Sequence, residues 1–259
     1  MQAGDITFTL DGRTVQGRPG ETVLSVARRN GVRIPTLCFH ESVTPYGVCR
    51  LCVVEVFWKK RSKLVTSCVY TPSEGDVVET NNARVRRARR MVLELLLARS
   101  PDAEVVRDLA HEYGADASRF PRPEGRPAVS DRCILCGLCV RVCDEVVGLA
   151  AIGFEGRGSA RTVSTPFRAN ADDCIGCGAC AFVCPTNALH FTDADGRRTA
   201  NELNATIPLV NCRACGRPFA TERQVALICE RLGVPAEFAE TCPACRGAVT
   251  TDIVGELLR

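Results

Sequence analysis

The sequence predicts an α+β protein assembled from several small units, and three observations predict it. A strand–hairpin–strand–helix pattern opens the chain at "DITFTLDGRTVQG" and "ETVLSVARRNG". A cysteine-free helical stretch follows at "NNARVRRARRMVLELLLARSPD". Two closely similar runs, "CILCGLCVRVC" and "CIGCGACAFVC", then repeat one another. The 259 residues are a prior for about two domains, more if they are small, and aromatics at 5% are few for one large core.

Residues 1–79 read as a β-rich unit. "DITFTL" alternates apolar and polar from Ile6, Asp11-Gly12 is a strong two-residue hairpin signal, and "RTVQG" returns. "PGETVLSVARRNG" then places Val23, Leu24, Val26 and Ala27 on one side of a short helix closed by Gly31. With "LCVVEVFW" and "KLVTSCVYT" as further strands, the pattern is a β-grasp sheet with a helix laid across it.

Residues 80–130 form a helical linker. Arg84, Arg86, Arg87, Arg89 and Arg90 are expected to line a solvated helix face, with docking to an acidic partner or a phosphate as the alternative. "RFPRPEGRPAVS" (119–130) is a Pro/Gly-rich connection. Residues 131–200 hold the double cysteine run, and "GLAAIGFEGRGSARTVSTPFRANADD" between its copies is expected to form a β-hairpin arm. In residues 201–259, "CRACGRPF" and "CPACRGAV" flank the helix "TERQVALICERLG". There Thr221 and Gln224 make a capping box and Gly233 ends the helix.

Composition narrows the function classes. A net charge of +3 is too mild to argue for nucleic acid. "MQAGDITFTLDGRTVQG" lacks the basic-then-apolar pattern of a signal peptide. The longest apolar run, "MVLELLLA", is short and contains Glu94, so no membrane insertion is expected. A cytoplasmic protein is the resulting expectation. Seventeen cysteines in ligand-like C-x2-C pairs then point to metal rather than to disulfides.

Three cysteines at two-residue intervals can wrap one iron–sulfur cube. A fourth, three residues on, belongs to a new helix and reaches the other cube, as in two-cluster ferredoxins. One [4Fe–4S] cluster is therefore assigned to Cys133, Cys136, Cys139 and Cys184. The other takes Cys143, Cys174, Cys177 and Cys180. The spacing predicts a bacterial-type 2[4Fe–4S] ferredoxin domain. Gly137, Gly176 and Gly178 let the backbone close on the cubes and turn N–H groups toward sulfur, while Ile134, Leu135, Ile175 and Val183 exclude water. Cys38, Cys49, Cys52 and Cys68, spaced C-x10-C-x2-C-x15-C, suit a [2Fe–2S] rhomb in which each iron takes two thiolates; zinc is the alternative. Gly47 relieves crowding beside Cys49, and His40 is an outer neighbour or incidental. Cys212, Cys215, Cys242 and Cys245, spaced C-x2-C-x26-C-x2-C, read as a structural zinc site in a small zinc-ribbon-like domain, with iron as the alternative. Cys229 shares a helix face with Val225, Ile228 and Leu232 and reads as a core thiol.

"IPTLCFHESVTPYGVCRLCVVEV" with Cys68 resembles the N-terminal [2Fe–2S] domain of the large peripheral subunit of respiratory complex I. It is similar also to the small diaphorase subunit of NAD-reducing hydrogenases and the front of NAD-dependent formate dehydrogenases. "CILCGLCVRVCDEVVG" resembles their dicluster segment, where Asp-Glu follows the fourth cysteine. The resemblance covers roughly residues 4–195. Those relatives usually carry a further site of one histidine and three cysteines between the two domains. No cysteine lies between Cys68 and Cys133 here, so that site is expected to be absent and His111 to be an ordinary surface residue.

No Gly-rich nucleotide fingerprint is visible, and "GFEGRGSA" lacks the G-x-G-x-x-G form. With twelve cysteines closing the iron sites, no open position is left for a substrate, and no catalytic residue is assigned. The leading reading is an electron-transfer subunit of an NAD(P)-linked oxidoreductase complex. The resemblance supplies its partners: a flavin-containing NAD(P)H-dehydrogenase-type subunit at one end and a metal-bearing catalytic subunit, a hydrogenase or a molybdenum/tungsten dehydrogenase, at the other. A freestanding polyferredoxin carrier is the alternative, and a zinc-ribbon nucleic-acid binder is a third reading that the mild charge disfavours.

Overall fold

Strands β1 (Ile6–Leu10) and β2 (Arg13–Gly17) form the hairpin expected at Asp11-Gly12, with Phe8 opposite Val15. The computed structural model describes residues 5–59, 61–122, 131–166 and 172–247. Helix α1 (Val23–Arg29) is capped by Thr22, whose Oγ1 accepts from Ser25 N at 3.3 Å, and it buries Val23, Leu24, Val26 and Ala27. β3 (Val53–Trp58), β4 (Arg61–Thr66) and β5 (Val77–Glu79) complete a mixed sheet of order β2-β1-β5-β3-β4, in which β1 and β5 run parallel. α1 packs on this sheet over Phe8, Leu10, Val54, Val56 and Val78. Sheet and helix together make the architecture expected of a β-grasp unit.

Two details differ from the sequence expectation. β4 ends at Thr66, so Cys68 stands in the turn beyond the strand rather than within it. β5 has only three residues, too few for an alternation to register in the sequence.

α2 (Ala83–Arg99), capped by Asn82, and α3 (Glu104–Tyr113), closed by left-handed Gly114, pack against each other as a helical pair. α3 escaped the sequence reading, although Val106, Leu109 and Ala110 mark its buried face. The expected solvated arginine face holds for Arg84, Arg86, Arg87 and Arg90, which are exposed, and fails for Arg89. Arg89 is 1% exposed. Arg84 Nη1 donates to Glu55 Oε1 at 2.6 Å and to Ser62 at 2.8 Å, and Arg86 lies over the Tyr113 ring at 5.2 Å. The helix is held against β3 on this side, so Arg89 meets protein rather than water, while Arg84 and Arg86 make their contacts from exposed positions.

Glu55 is the buried acid of this seam and also accepts from Asn82 Nδ2 at 2.8 Å. Burial alone would raise its carboxyl, but hydrogen bonds from Ser62, Asn82 and Arg84 more than reverse that, and its pKa is lowered. A depressed acid stabilises the fold fully above the ordinary carboxylate pKa, and this contribution is lost as pH falls through the folded value. Glu55→Gln is therefore expected to lower stability in urea at pH 7 by about 1–3 kcal/mol. The difference from the parent should shrink in acid. A deficit that persists undiminished once the parent's Glu55 is protonated would refute the ionised contact.

The second half opens with α4 (Leu138–Arg141), which runs into a π-turn (Val142–Val146) carrying Cys143. β6 (Gly153–Glu155) and β7 (Thr162–Ser164) form the expected hairpin arm. α5 (Ala179–Phe182) follows the second cysteine run. β8 (Thr192–Ala194), β9 (Arg197–Ala200), β10 (Ala205–Asn211) and β11 (Pro218–Thr221) then form an antiparallel sheet, with Asp195-Gly196 turning β8 into β9. Ala205 pairs with Ala200, so the boundary expected between residues 200 and 201 falls inside this sheet.

α6 (Glu222–Leu232) is capped by Thr221, which accepts from Gln224 N at 3.2 Å, and is closed by Gly233; the short α7 (Ala236–Ala239) follows. Leu232 is 69% exposed, so the apolar face assigned to Cys229 is narrower than expected; Cys229 packs with Val225 and Ile228 only at half-burial. Parts of the expected linker (123–130), hairpin segment (167–171) and C-terminal unit (248–259) lie outside the described residues.

The largest core runs from Leu37, Cys38 and Cys49 through Leu93 and Val106 to Cys136, Cys139 and Ile207. Among the described residues, no helix is long and apolar enough to cross a membrane.

Candidate metal centres

None of the seventeen cysteines is in a disulfide. Cys38, Cys49, Cys52 and Cys68 are buried where the loop after α1 meets the ends of β3 and β4. Their thiols face one another in two pairs. Cys49 is lowered to about 6 by the hydrogen bond from Cys38, and Cys52 to about 7 by the one from Cys68. Their donors Cys38 and Cys68 are correspondingly pushed up. Cys49 N also points at Cys38 Sγ, 3.5 Å away. Gly47 owes its place to backbone conformation rather than crowding: φ is +66°, and an added Cβ would meet its nearest neighbours only at 3.5 Å. His40 Nδ1 accepts from Ser42 N at 3.2 Å, which leaves it a loop-bracing residue.

The double run forms two pockets. Cys133, Cys136, Cys139 and Cys184 line one, with Ile134, Leu135, Val163 and Leu189 around them. Cys143, Cys174, Cys177 and Cys180 line the other, beside Val147, Leu149, Ile152 and Ile175. The fourth cysteine of each run thus faces the partner run's trio. For Cys143 the π-turn does this: it adds a residue to the helical turn and re-aims the thiol, as such turns do at functional sites. Burial pushes Cys136 and Cys180 up to about 12 and Cys139 well above the ordinary thiol range. Apolar walls disfavour bare thiolates, so these pockets suit a cationic metal core that deprotonates its ligands. Backbone N–H groups supply part of the compensation: Gly176 N lies 3.4 Å from Cys174 Sγ, and Ala188 N lies 3.2 Å from Cys184 Sγ.

The two copies differ at one position in the turn. Each C-x2-C turn needs a left-handed residue before its second cysteine: Leu135 in the first (φ 54°) and Gly176 in the second (φ +65°). Leu135 adopts this conformation while lining its pocket. At Gly176 a Cβ would lie 2.9 Å from Ile207 Cδ1 and 3.0 Å from Thr221 Cγ2. The C-terminal sheet closes over the second turn, and only glycine fits beneath it.

That closure is polar as well. Peptides that turn N–H inward to sulfur leave their carbonyls facing out, and three in succession find donors from distant residues. Cys174 O accepts from Arg223 Nη1 at 3.1 Å, Ile175 O from the Thr221 hydroxyl, and Gly176 O from Arg198 Nη1 at 2.9 Å. Arg198 is itself held by Asp193 in a two-bond fork at 2.8 Å. The first site is tied to the double run in the same manner. Arg141 of α4 donates to Thr44 O and, at 2.9 Å, to Cys38 O, while Glu145 accepts from Thr44 N at 2.6 Å. None of these contacts carries a sequence signal, because each reaches a carbonyl far away in the chain; Thr221 is legible only as a helix cap.

Cys212, Cys215, Cys242 and Cys245 offer four sulfurs that all lie within 4.8 Å of one another; among the described residues this is the one group so compact. Cys215 Sγ and Cys242 Sγ are 3.9 Å apart. Backbone N–H groups, Cys242 N foremost at 3.3 Å, lower Cys212 to about 6.

Residues 3–83 match the family described as a 2Fe-2S iron-sulfur cluster binding domain, and residues 132–188 the family described as a 4Fe-4S dicluster domain. The chain is 33% identical over 210 residues to the mitochondrial NADH-ubiquinone oxidoreductase 78 kDa subunit of Neurospora crassa. That match takes in 73% of this chain and 28% of the relative. It is 32% identical over 206 residues to the same mitochondrial 78 kDa subunit of Candida albicans, covering 71% and 28%. The chain thus spans little more than a quarter of the length of these curated relatives. A chain in the crystal structure of NAD+-reducing [NiFe]-hydrogenase in the H2-reduced state superposes with a TM-score of 0.53 at 35% identity, over 62% of this chain and 74% of that one.

Proposed function

The chain belongs to the family of iron–sulfur electron-transfer subunits related to the 78 kDa subunit of NADH-ubiquinone oxidoreductase and to a subunit of NAD+-reducing [NiFe]-hydrogenase, and from that premise we propose that it relays single electrons through three clusters. In this reading Cys38, Cys49, Cys52 and Cys68 hold a [2Fe–2S] cluster. Cys133, Cys136, Cys139 and Cys184 hold one [4Fe–4S] cluster, and Cys143, Cys174, Cys177 and Cys180 hold the second. Closed clusters of this kind supply one-electron exchange when bound. The observation that carries the reading is the crossed membership of the two apolar pockets, each lined by three cysteines of one run and the fourth of the other.

The chain's own residues do the rest. Ile134, Leu135 and Ile175 exclude water from the pockets, and the N–H groups of Gly176 and Ala188 favour thiolate at Cys174 and Cys184. Arg141 and Glu145 keep the first site against α4, in one core with Cys136 and Cys139, which supports a direct step from the first site to the double run. His111 is exposed on α3, the ordinary surface residue that the sequence leads one to expect.

Cys212, Cys215, Cys242 and Cys245 hold a single structural zinc ion in a zinc-ribbon-like unit. Zn–S bonds of about 2.3 Å set tetrahedral sulfurs about 3.8 Å apart, close to the separation of Cys215 and Cys242, whereas a cube needs a wider ring. The four units run over residues 1–79, 80–130, 131–200 and 201–259, the last two sharing a sheet. A reducing, cytoplasmic setting suits seventeen unpaired cysteines. The partners are a flavin-bearing NAD(P)H-oxidising subunit and a catalytic subunit of hydrogenase or molybdenum/tungsten dehydrogenase type.

Anaerobically purified protein is expected to carry about ten iron and about one zinc. Finding about fourteen iron and no zinc would overturn the zinc assignment. Affinity capture under the same conditions is expected to bring down a flavoprotein and a metal-bearing catalytic subunit. A cluster-loaded monomer with neither would instead favour a freestanding carrier.

A further inference from the structure

Among the described residues, Arg89 is the largest of the fully buried side chains. Its Nη2 donates to Val53 O at 2.8 Å and its Nη1 to the Tyr113 hydroxyl at 3.0 Å, with the Tyr113 ring 5.7 Å from the guanidinium carbon. Its Nε has no partner among the described residues. Among the described residues no carboxylate pairs with it. The buried acids of β3 and α2 are engaged elsewhere: Glu55 by Arg84 and Asn82, and Glu94 by Arg90 and Arg119. Burial disfavours the charged form, yet arginine does not give up its proton in a protein. A buried, unpaired cation is costly unless a negative charge stands nearby.

The chain supplies that charge one residue away from the Arg89 contact. Val53, whose carbonyl Arg89 holds, follows Cys52 directly, so the guanidinium is anchored next to a ligand of the first cysteine site. Four thiolates around two irons leave a net negative site, and one-electron reduction makes it more negative by one unit. Water cannot screen the interaction at this depth.

We propose that Arg89 is the buried counter-charge of the first cysteine site, a positioning residue whose fixed positive charge favours the reduced state of the [2Fe–2S] cluster. Reduction adds one electron to the site and moves no proton, since the guanidinium is already charged and stays so. The inference rests on the [2Fe–2S] reading of Cys38, Cys49, Cys52 and Cys68.

The test is an EPR-monitored redox titration of the full chain, with the two [4Fe–4S] signals as internal references. In Arg89→Met, which keeps the volume and removes the charge, the oxidised-to-reduced ratio of the [2Fe–2S] cluster at a given potential is expected to rise about tenfold, about 59 mV for a one-electron couple. Arg89→Lys should stay within about threefold of the parent, and the [4Fe–4S] potentials should not move in either variant. An unmoved [2Fe–2S] potential in loaded Arg89→Met overturns the proposal. If Arg89→Met folds but does not load while Arg89→Lys does, the site requires the charge, and the proposal stands. If neither loads, the site needs the shape of the guanidinium rather than its charge, and the proposal falls. A parent protein with no [2Fe–2S] signal would instead refute the cluster reading beneath it.

Discussion

Cys143→Ala is expected to abolish the EPR signal of the cluster held by Cys174, Cys177 and Cys180, and to leave the cluster of its own run in place. Sequence proximity argues the reverse, since Cys139 is only one turn away. Geometry decides it: the π-turn over Val142–Val146 swings Cys143 toward the second trio, and its thiol lines their pocket. The backbone N–H groups of Ala151 and Ile152 favour thiolate there, against the burial that pushes the thiol up. Iron content should fall by about four. Cys184→Ala should give the mirror result at Cys133, Cys136 and Cys139, because Cys184 lines theirs. Selective loss of the nearer cluster in Cys143→Ala would refute the crossed arrangement.

Stripping the metal from Cys212, Cys215, Cys242 and Cys245 is expected to unfold α6 and its surroundings, and then to destabilise a cluster that those cysteines never touch. The unit's own apolar core contains only Ala220, Val225 and Ala239 as fully buried residues among those described. Such a core cannot order the segment by itself, whereas a structural zinc contributes on the order of 10–16 kcal/mol in comparable small units. The consequence travels through Thr221 and Arg223, which lie at the start of α6 and hold the carbonyls of Ile175 and Cys174. Arg231 adds a third tie, donating to Val147 O at 2.9 Å. A zinc chelator that spares iron–sulfur clusters should therefore reduce helical circular dichroism first. It should then speed oxidative loss of the Cys174 cluster ahead of the Cys133 cluster. Equal decay of both, or no loss of helicity, would show that the C-terminal unit does not buttress that loop.

Much of the site was legible in the sequence because its spacing is local. A C-x2-C turn can be read from four residues, and its repeat from eleven, so the membership of each pocket followed from chain geometry. The hairpin at Asp11-Gly12, the buried face of α1 and the Thr221 cap were legible for the same reason. The burial of Arg89 and the tertiary partner of Arg84 were not. Helical spacing predicts which way Arg84 and Arg89 point along α2, but not that β3 lies on that side. One of the two became the partner of a buried acid, and the other a buried cation beside Cys52.

Local spacing therefore carried the chemistry: which cysteines form groups, how many groups there are, and that the folds around them are small. What holds those groups in place was settled by the packing of distant segments. Turns that direct their N–H groups to sulfur leave outward carbonyls, and the donors that meet them — Arg141, Arg198, Thr221 and Arg223 — come from wherever the fold brings a side chain within reach. Ligand spacing is a property of a few bonded residues, whereas the satisfaction of a carbonyl is a property of the packed whole.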